Sequence, residues 1–403
     1  MEHMKYIVIL GDGMADEPQE ALGGKTPLEA AKTPVMDVLA ARSETGLLKT
    51  IPDGMSPGSD TANLAVLGYD PKQYYTGRSP LEALSIGVPM KETDVAMRCN
   101  LVTLTEEEPY EQKRIIDHSS DEISTEDAAV LLEAVKQELE NETYQFYTGT
   151  SYRHLVIWAN GRVEELAAPH DHLTEVIGPY LPENREIRAM MERSCEILSG
   201  HPLNVKRKAE GKHPANSCWF WGAGTKPFVP PFEEKYGKKG VMISAVDLLK
   251  GIAVGAGMRN VTVPGANGGL DTNYEGKAQA AVRALLAEGA DLVYVHLEAP
   301  DEMGHQGSLE RKVQAIENLD QRLLRIVKEQ MDASGEEYRM LVLPDHPTPL
   351  RTRTHSAEPV PYLLYDSRKE LGTCSCYCER TAGQSGIFRP EGYRMMDILL
   401  EKR

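Results

Sequence analysis

The sequence predicts an α/β protein built on a mainly parallel sheet with helices on both faces, and a smaller α/β domain inserted into it. Two observations carry this expectation. Apolar strand-like runs alternate with helical patterns near both ends of the chain, which argues for parallel strands joined by helical crossovers. Between them, from about Tyr74 to about Ala215, the sequence turns charged and rich in turn residues, as in Thr105-Glu-Glu-Glu-Pro. At 403 residues the chain exceeds one ordinary core, so two domains are expected. Residues 1–74 and 216–403 would form a discontinuous metal-binding domain, and residues 75–215 an inserted substrate-binding or lid domain.

Residues 5–10 read as a fully buried strand, with Gly11-Asp12-Gly13 as the turn after it. Thr26 or Thr33 caps a helical stretch containing Val35, Met36, Val38 and Leu39. The glycines and prolines of Pro52-Asp-Gly-Met-Ser-Pro-Gly make a tight loop, and the apolar residues after Ser59 begin a helix. Ser59 therefore sits at a helix N-terminus, where backbone N–H groups favour a phosphate. In the insert, 128–139 has helical amphipathicity, and 144–147 and 154–158 are strand-like. The first domain is expected to resume near Ser217-Cys-Trp-Phe-Trp-Gly. Strands at 241–246, 261–263 and 292–297 then alternate with helices at 247–257 and 276–287. The last long helix repeats apolar residues at 309, 313, 316, 319, 323 and 326, with Ser308 as its cap.

The formal net charge is −17, and no segment is basic beyond Lys206-Arg207-Lys208, which argues against a nucleic-acid partner. An anionic substrate would need positive charge gathered locally, from metal ions or a few Arg and Lys. Six cysteines in a chain this long do not make a disulfide framework. No run has the h-region of a signal peptide or the length of a membrane span, so a cytoplasmic protein without a membrane partner is expected. Cys374, Cys376 and Cys378 alternate and read as three small residues on one strand face. His296, inside an apolar strand, reads as a core histidine, and Trp219 and Trp221 as core packing.

Three apolar runs end in acids: Lys5 to Asp12, Leu292 to Asp301, and Met340 to Asp345. Asp301 has His305 four residues on, Asp345 is followed by His346, and His355 lies close behind. Ligands of open α/β sheets gather at the carboxyl ends of the strands, so these distant residues are expected to converge. Carboxylate, imidazole and serine hydroxyl suit Zn²⁺ or Mn²⁺. The groups divide into Asp301, His305 and His355 for one ion, and Asp12, Ser59, Asp345 and His346 for the other. Two ions about 4 Å apart clamp the attacking and leaving oxygens of a phosphoryl displacement and acidify a serine hydroxyl.

Gly-Asp-Gly-Met-Ala-Asp16, Gly24-Lys-Thr-Pro-Leu-Glu-Ala-Ala-Lys-Thr-Pro34, Ser56-Pro-Gly-Ser-Asp-Thr-Ala-Asn-Leu-Ala-Val-Leu-Gly-Tyr-Asp70 and Ala299-Pro-Asp-Glu-Met-Gly-His305 resemble the archaeal-type cofactor-independent phosphoglycerate mutases. These belong to the alkaline phosphatase superfamily. Pro344-Asp-His346 and the segment from His355 to Pro361 match as well. The resemblance implies an alkaline-phosphatase-like fold and two divalent ions, Mn²⁺ or Zn²⁺ with Mg²⁺ or Co²⁺ as further choices, and no bisphosphoglycerate. It implies interconversion of 3-phosphoglycerate and 2-phosphoglycerate, a step of glycolysis and gluconeogenesis, through Ser59 phosphorylated in passing. A closed cleft would keep water from the phosphoserine. Asn63 stands where the better-known bacterial form has a histidine, and that form's middle-domain substrate motif is absent. Candidates for holding substrate are therefore Arg153, His154, His170, Asp171, Arg78 and Lys277. One branch of the family has been proposed as homoserine kinases; no Gly-x-x-x-x-Gly-Lys-Ser/Thr loop is present here. A metal-dependent phosphohydrolase is the other alternative on this scaffold.

Overall fold

The computed structural model describes residues 4–372 and 374–402. The chain forms two compact units, Met1–Tyr75 with Phe228–Arg403, and Thr76–Pro227.

The larger unit is built on an eight-stranded sheet. In spatial order its strands are Phe388–Arg389, Glu44–Leu48, Val360–Asp366, Tyr338–Leu343, Lys5–Gly11, Leu292–Leu297, Gly240–Ile243 and Arg259–Asn260. Lys5–Gly11 lies parallel to both neighbours, and only Val360–Asp366 runs antiparallel to the strands beside it. Alternate residues of a strand face opposite sides. Ile7, Ile9, Val293, Val295, Met340 and Val342 pack in one core cluster. Val8, Leu10, Tyr294, His296 and Leu341, on the other face, are buried too, so both faces are covered. This double burial is why these strands read as unbroken apolar runs.

Register brings the three acid-tipped runs level. Gly11 pairs with Leu297, and Leu10 with Leu343. The residues just beyond, Asp12, Glu298 to Asp301, and Asp345, therefore leave the same edge of the sheet side by side. Asp301 rides on the short helix Ala299–His305, with Pro300 in its first turn, where a missing N–H costs nothing. Ser59 opens the helix Ser59–Val66. The loop after Asp12 needs Gly13: its φ is +59°, and a Cβ there would lie 2.5 Å from Asp301 Oδ1.

The smaller unit contains a five-stranded antiparallel sheet. Val95–Leu104 is paired with Arg153–Trp158 on one side and Ser217–Thr225 on the other. The change in sequence character predicts an end to this unit at residue 215, but the Ser217–Thr225 strand belongs to its sheet, and the chain leaves at 227. Helices Thr125–Leu139 and Arg185–Ser199 supply Leu131, Leu132, Met191 and Leu198 to its core.

Three local expectations differ from the structure. Residues 261–263 follow, and do not form, the edge strand Arg259–Asn260. Cys374, Cys376 and Cys378 lie in a loop, and Cys378 is the N-cap of the helix Glu379–Gln384. Alternation alone fits a strand, but Thr381 draws this loop into a cap: its Oγ1 accepts from the Cys378 N–H, and its hydroxyl has the Cys376 carbonyl as acceptor at 2.9 Å. The helix Pro27–Ala30 is capped by the Thr26 side chain, whereas Thr33 and Ser308 stand at N-cap positions without a side-chain bond.

Candidate metal centre

The expected ligands converge at the carboxyl edge of the large sheet. Asp12, Asp345 and His346 are buried, with ligand atoms within 4.8 Å of one another, and the same holds for Asp301, His346 and His355 except that His355 is half-buried. Ser59 Oγ lies 3.1 Å from His346 Nε2 and 3.5 Å from Asp12 Oδ2, which joins the helix N-terminus to the first group. His305 joins the second: its Nε2 is 3.1 Å from Asp301 Oδ2 and 3.0 Å from His355 Nε2. All seven expected groups thus lie in one cluster, and His346 touches both halves.

The electrostatics of this cluster call for cations. Burial raises the Asp12 carboxyl well above its ordinary range, and the Asp345, Asp301 and Glu298 carboxylates raise it further. Burial would raise Asp301 too, but hydrogen bonds from His305 and His355 outweigh it and hold the carboxyl low. The partner His305 rises to about 9 through its bond to Asp301. Asp12 Oδ1 is buried with no hydrogen-bond partner among the described residues. A buried carboxylate oxygen left bare costs free energy unless something positive faces it. The donor set and this orphaned oxygen fit divalent ions.

The cluster is braced from behind. Lys312 Nζ donates to Asp16 Oδ2 at 2.7 Å and to the Thr348 carbonyl at 2.8 Å, which ties the loop after Asp12 to the loop after Asp345. Thr348 donates to Asp301 Oδ1. Tyr75 donates to Asp60 Oδ2 at 2.7 Å, beside Ser59. His296, read from sequence as a core histidine, is fully buried but bonds Asp12 Oδ2 through Nε2 at 2.9 Å. Burial drops its pKa to about 3, so it is neutral.

A family model described as 2,3-bisphosphoglycerate-independent phosphoglycerate mutase matches residues 40–204. A protein of that name from Methanosarcina acetivorans is 50% identical over 367 residues, covering 90% of this chain and 90% of its own length. The chain belongs to the 2,3-bisphosphoglycerate-independent phosphoglycerate mutases. Solved structures share the fold. One from Pyrococcus horikoshii superposes with a TM-score of 0.82 at 28% identity, covering 100% of this chain and 97% of that one. The cofactor-independent phosphoglycerate mutase from Thermoplasma acidophilum superposes with a TM-score of 0.65 at 26% identity, covering 99% of each chain.

Four of the six residues nominated from sequence for the substrate of this mutase family lie at the surface of the smaller unit or partly buried in it. The cationic cluster there centres on a residue the sequence reading missed, Arg98. Its Nε donates to Glu82 at 2.7 Å, its guanidinium lies over the Trp221 ring, and Arg78 bonds the same Glu82 at 3.1 Å. Burial would raise Glu82, but Arg98 and Arg78 outweigh it and keep the carboxylate charged. His170 packs edge-on to Trp221 and to His118. Partial burial lowers His170, Asp171 opposes the fall, and His118, Arg98 and Arg78 add to it. Asp171 is exposed, 3.7 Å from His170, and Arg153 is exposed against the Tyr152 ring. The other two candidates are not at a surface. His154 is buried in the sheet, where its Nδ1 accepts from the Gly149 N–H, because the strand alternation turns it inward. Lys277, in the larger unit, is buried with Nζ donating to the His296 carbonyl at 2.9 Å, and burial lowers it to about 8.

Among the described residues, no helix is long and apolar enough to cross a membrane.

Proposed function

We propose that the chain interconverts 3-phosphoglycerate and 2-phosphoglycerate through a phosphoserine at Ser59, in glycolysis and gluconeogenesis. The observation that carries this is the position of Ser59: its hydroxyl is at a helix N-terminus and within 3.5 Å of two groups of the acidic cluster. Asp301, His305 and His355 would hold one divalent ion, and Asp12, Ser59, Asp345 and His346 the other. When bound, the two ions supply positive charge to the phosphoryl oxygens and acidify the Ser59 hydroxyl.

In the first half-reaction Ser59 Oγ forms a bond to phosphorus while the bond from phosphorus to the glycerate oxygen breaks. The Ser59 proton is lost and the freed glycerate hydroxyl gains one. In the second half the other hydroxyl of the same glycerate loses its proton and attacks phosphorus, and Ser59 is released and reprotonated. The N–H groups opening Ser59–Val66 favour the phosphoryl charge at this point. Arg98 and Arg78, with His118 and His170, form a set of donors suited to a carboxylate such as that of glycerate. Arg98 and Arg78 are both held by the half-buried Glu82, which favours a fixed geometry over a mobile surface charge.

Incubating the Mn²⁺-loaded protein with 3-phosphoglycerate, with no bisphosphoglycerate present, tests the reading. Formation of 2-phosphoglycerate supports it. Release of free phosphate alone would indicate a hydrolase, and ADP formed from ATP only when homoserine is present would indicate a kinase. Either result contradicts the proposal.

A further inference from the structure

The strand Leu292–Leu297 carries two polar side chains two residues apart on one face, Tyr294 and His296, both fully buried. Each reaches a different carboxylate of the cluster. His296 Nε2 is 2.9 Å from Asp12 Oδ2. Tyr294 donates its hydroxyl to Asn63 Oδ1 at 2.6 Å, and the Asn63 amide nitrogen donates both to Asp345 Oδ2 at 2.9 Å and to the Ser59 carbonyl at 2.8 Å.

The chemistry of the partners fixes the direction of every bond. A carboxylate and a backbone carbonyl only accept, so the NH₂ of Asn63 must face Asp345 and Ser59, and its oxygen must face Tyr294. Turned over, Asn63 would set its oxygen against the Asp345 carboxylate, lone pair to lone pair. The Tyr294 hydroxyl donates to the amide oxygen that this orientation presents. On the other branch, Asp12 Oδ2 as a carboxylate oxygen can only accept from His296 Nε2, and Ser244 Oγ, which takes the Val246 N–H at 3.0 Å, lies 3.2 Å from His296 Nδ1. Nδ1 therefore accepts, Nε2 carries the hydrogen, and Asp12 Oδ2 receives it. The remaining oxygen, Asp12 Oδ1, takes part in no hydrogen bond among the described residues, with His346 Nε2 3.5 Å away.

We infer that Tyr294 and His296 are positioning residues for the ion held by Asp12, Ser59, Asp345 and His346: Tyr294 acts through Asn63, and His296 is backed by Ser244. His296 is a donor to a ligand and not a ligand itself. By holding one oxygen of Asp12, it leaves the other for the cation. By locking Asn63, Tyr294 fixes Asp345 and the first turn of the Ser59 helix in one geometry. Neither residue reaches Asp301, His305 or His355 by a hydrogen bond, so the effect is confined to one of the two ions. This inference rests on the two-ion reading of the site.

The test is Mn²⁺ binding followed by the electron paramagnetic resonance signal of free Mn²⁺, on wild type and on Tyr294→Phe, His296→Leu and His296→Gln. Circular dichroism and thermal unfolding in chelator establish that each is folded. Outer partners of metal ligands are typically worth about 10–100-fold in affinity. Tyr294→Phe and His296→Leu should each weaken one of two Mn²⁺ sites by about that factor and leave the other within about twofold. His296→Gln, whose amide N–H replaces Nε2–H, should recover most of the loss. Folded Tyr294→Phe and His296→Leu proteins with both sites at wild-type affinity, or with both sites weakened alike, would overturn the inference. Wild type that binds no Mn²⁺ would instead overturn the two-ion reading beneath it.

Discussion

Ser59 Oγ and His346 Nε2 stand 3.1 Å apart although 287 positions separate them in the chain. One group comes from a loop leading into a helix, the other from the turn that ends a central strand. In the proposed reaction, the phosphoryl group would be received where these two groups meet.

Removing the hydroxyl should therefore separate chemistry from metal. Ser59→Ala is expected to lose at least about 10³-fold in mutase turnover, as expected when a nucleophile is deleted. Elemental analysis should find metal content close to wild type, since three of four groups at that ion and all at the other are kept.

Chelation should cost stability. Asp12, Asp345 and Asp301 are buried together, and without cations the carboxylates oppose one another. Adding Mn²⁺ at 100 times its dissociation constant should add about 2.7 kcal/mol per site, seen as a raised melting temperature that chelator reverses. A melting temperature indifferent to Mn²⁺ would count against the site.

The Asp16–Lys312 pair is fully buried, and it joins the two loops that carry Asp12 and Asp345. Lys312→Met strands a carboxylate in the core and should destabilise by about 3–5 kcal/mol in urea unfolding. The double change Asp16→Asn with Lys312→Met should recover a good part of that loss.

Much of the site could be read from sequence, for a physical reason. A strand covered on both faces is apolar throughout, so the acid that ends it stands out, and three such ends in parallel neighbours meet when the register is level. What stayed hidden depended on partners far away in sequence. His296 and Tyr294 lie inside an apolar run, where a polar residue looks like a satisfied core group; only the fold shows which carboxylates satisfy them. Arg98 sits mid-strand with its partners Glu82 and Trp221 on other elements. The Ser217–Thr225 strand has the same aromatic character whichever sheet it joins, and its pairing with Val95–Leu104 decides the domain boundary. The Cys374 to Cys378 alternation fitted a strand by period alone, and the Thr381 bonds make it a helix cap instead.

Acid should weaken the smaller unit through His154. Burial lowers this histidine from 6.5 to about 4. Between those values the unfolded chain binds the extra proton, so the stabilisation is complete above about pH 6.5 and is lost as pH falls toward 4. The loss is about 3 kcal/mol at most. Urea unfolding followed by Trp fluorescence from pH 7 to 4 should show this slope for wild type and a shallower one for His154→Gln.

Arg98→Leu should raise KM for phosphoglycerate by about tenfold or more, since it removes a charged donor and leaves Glu82 with Arg78 alone. Arg98→Lys keeps the charge but not the planar fork and should fall between. Steady-state kinetics with both variants at fixed metal concentration reads the difference.

The most direct measurement is a rapid-quench reaction of the Mn²⁺-loaded protein with ³²P-labelled 3-phosphoglycerate, followed by peptide mapping. Label appearing on the peptide containing Ser59 within the first turnover, and passing on into 2-phosphoglycerate, is the expected result. Conversion to 2-phosphoglycerate with no label ever on Ser59, or label on another residue, would contradict it.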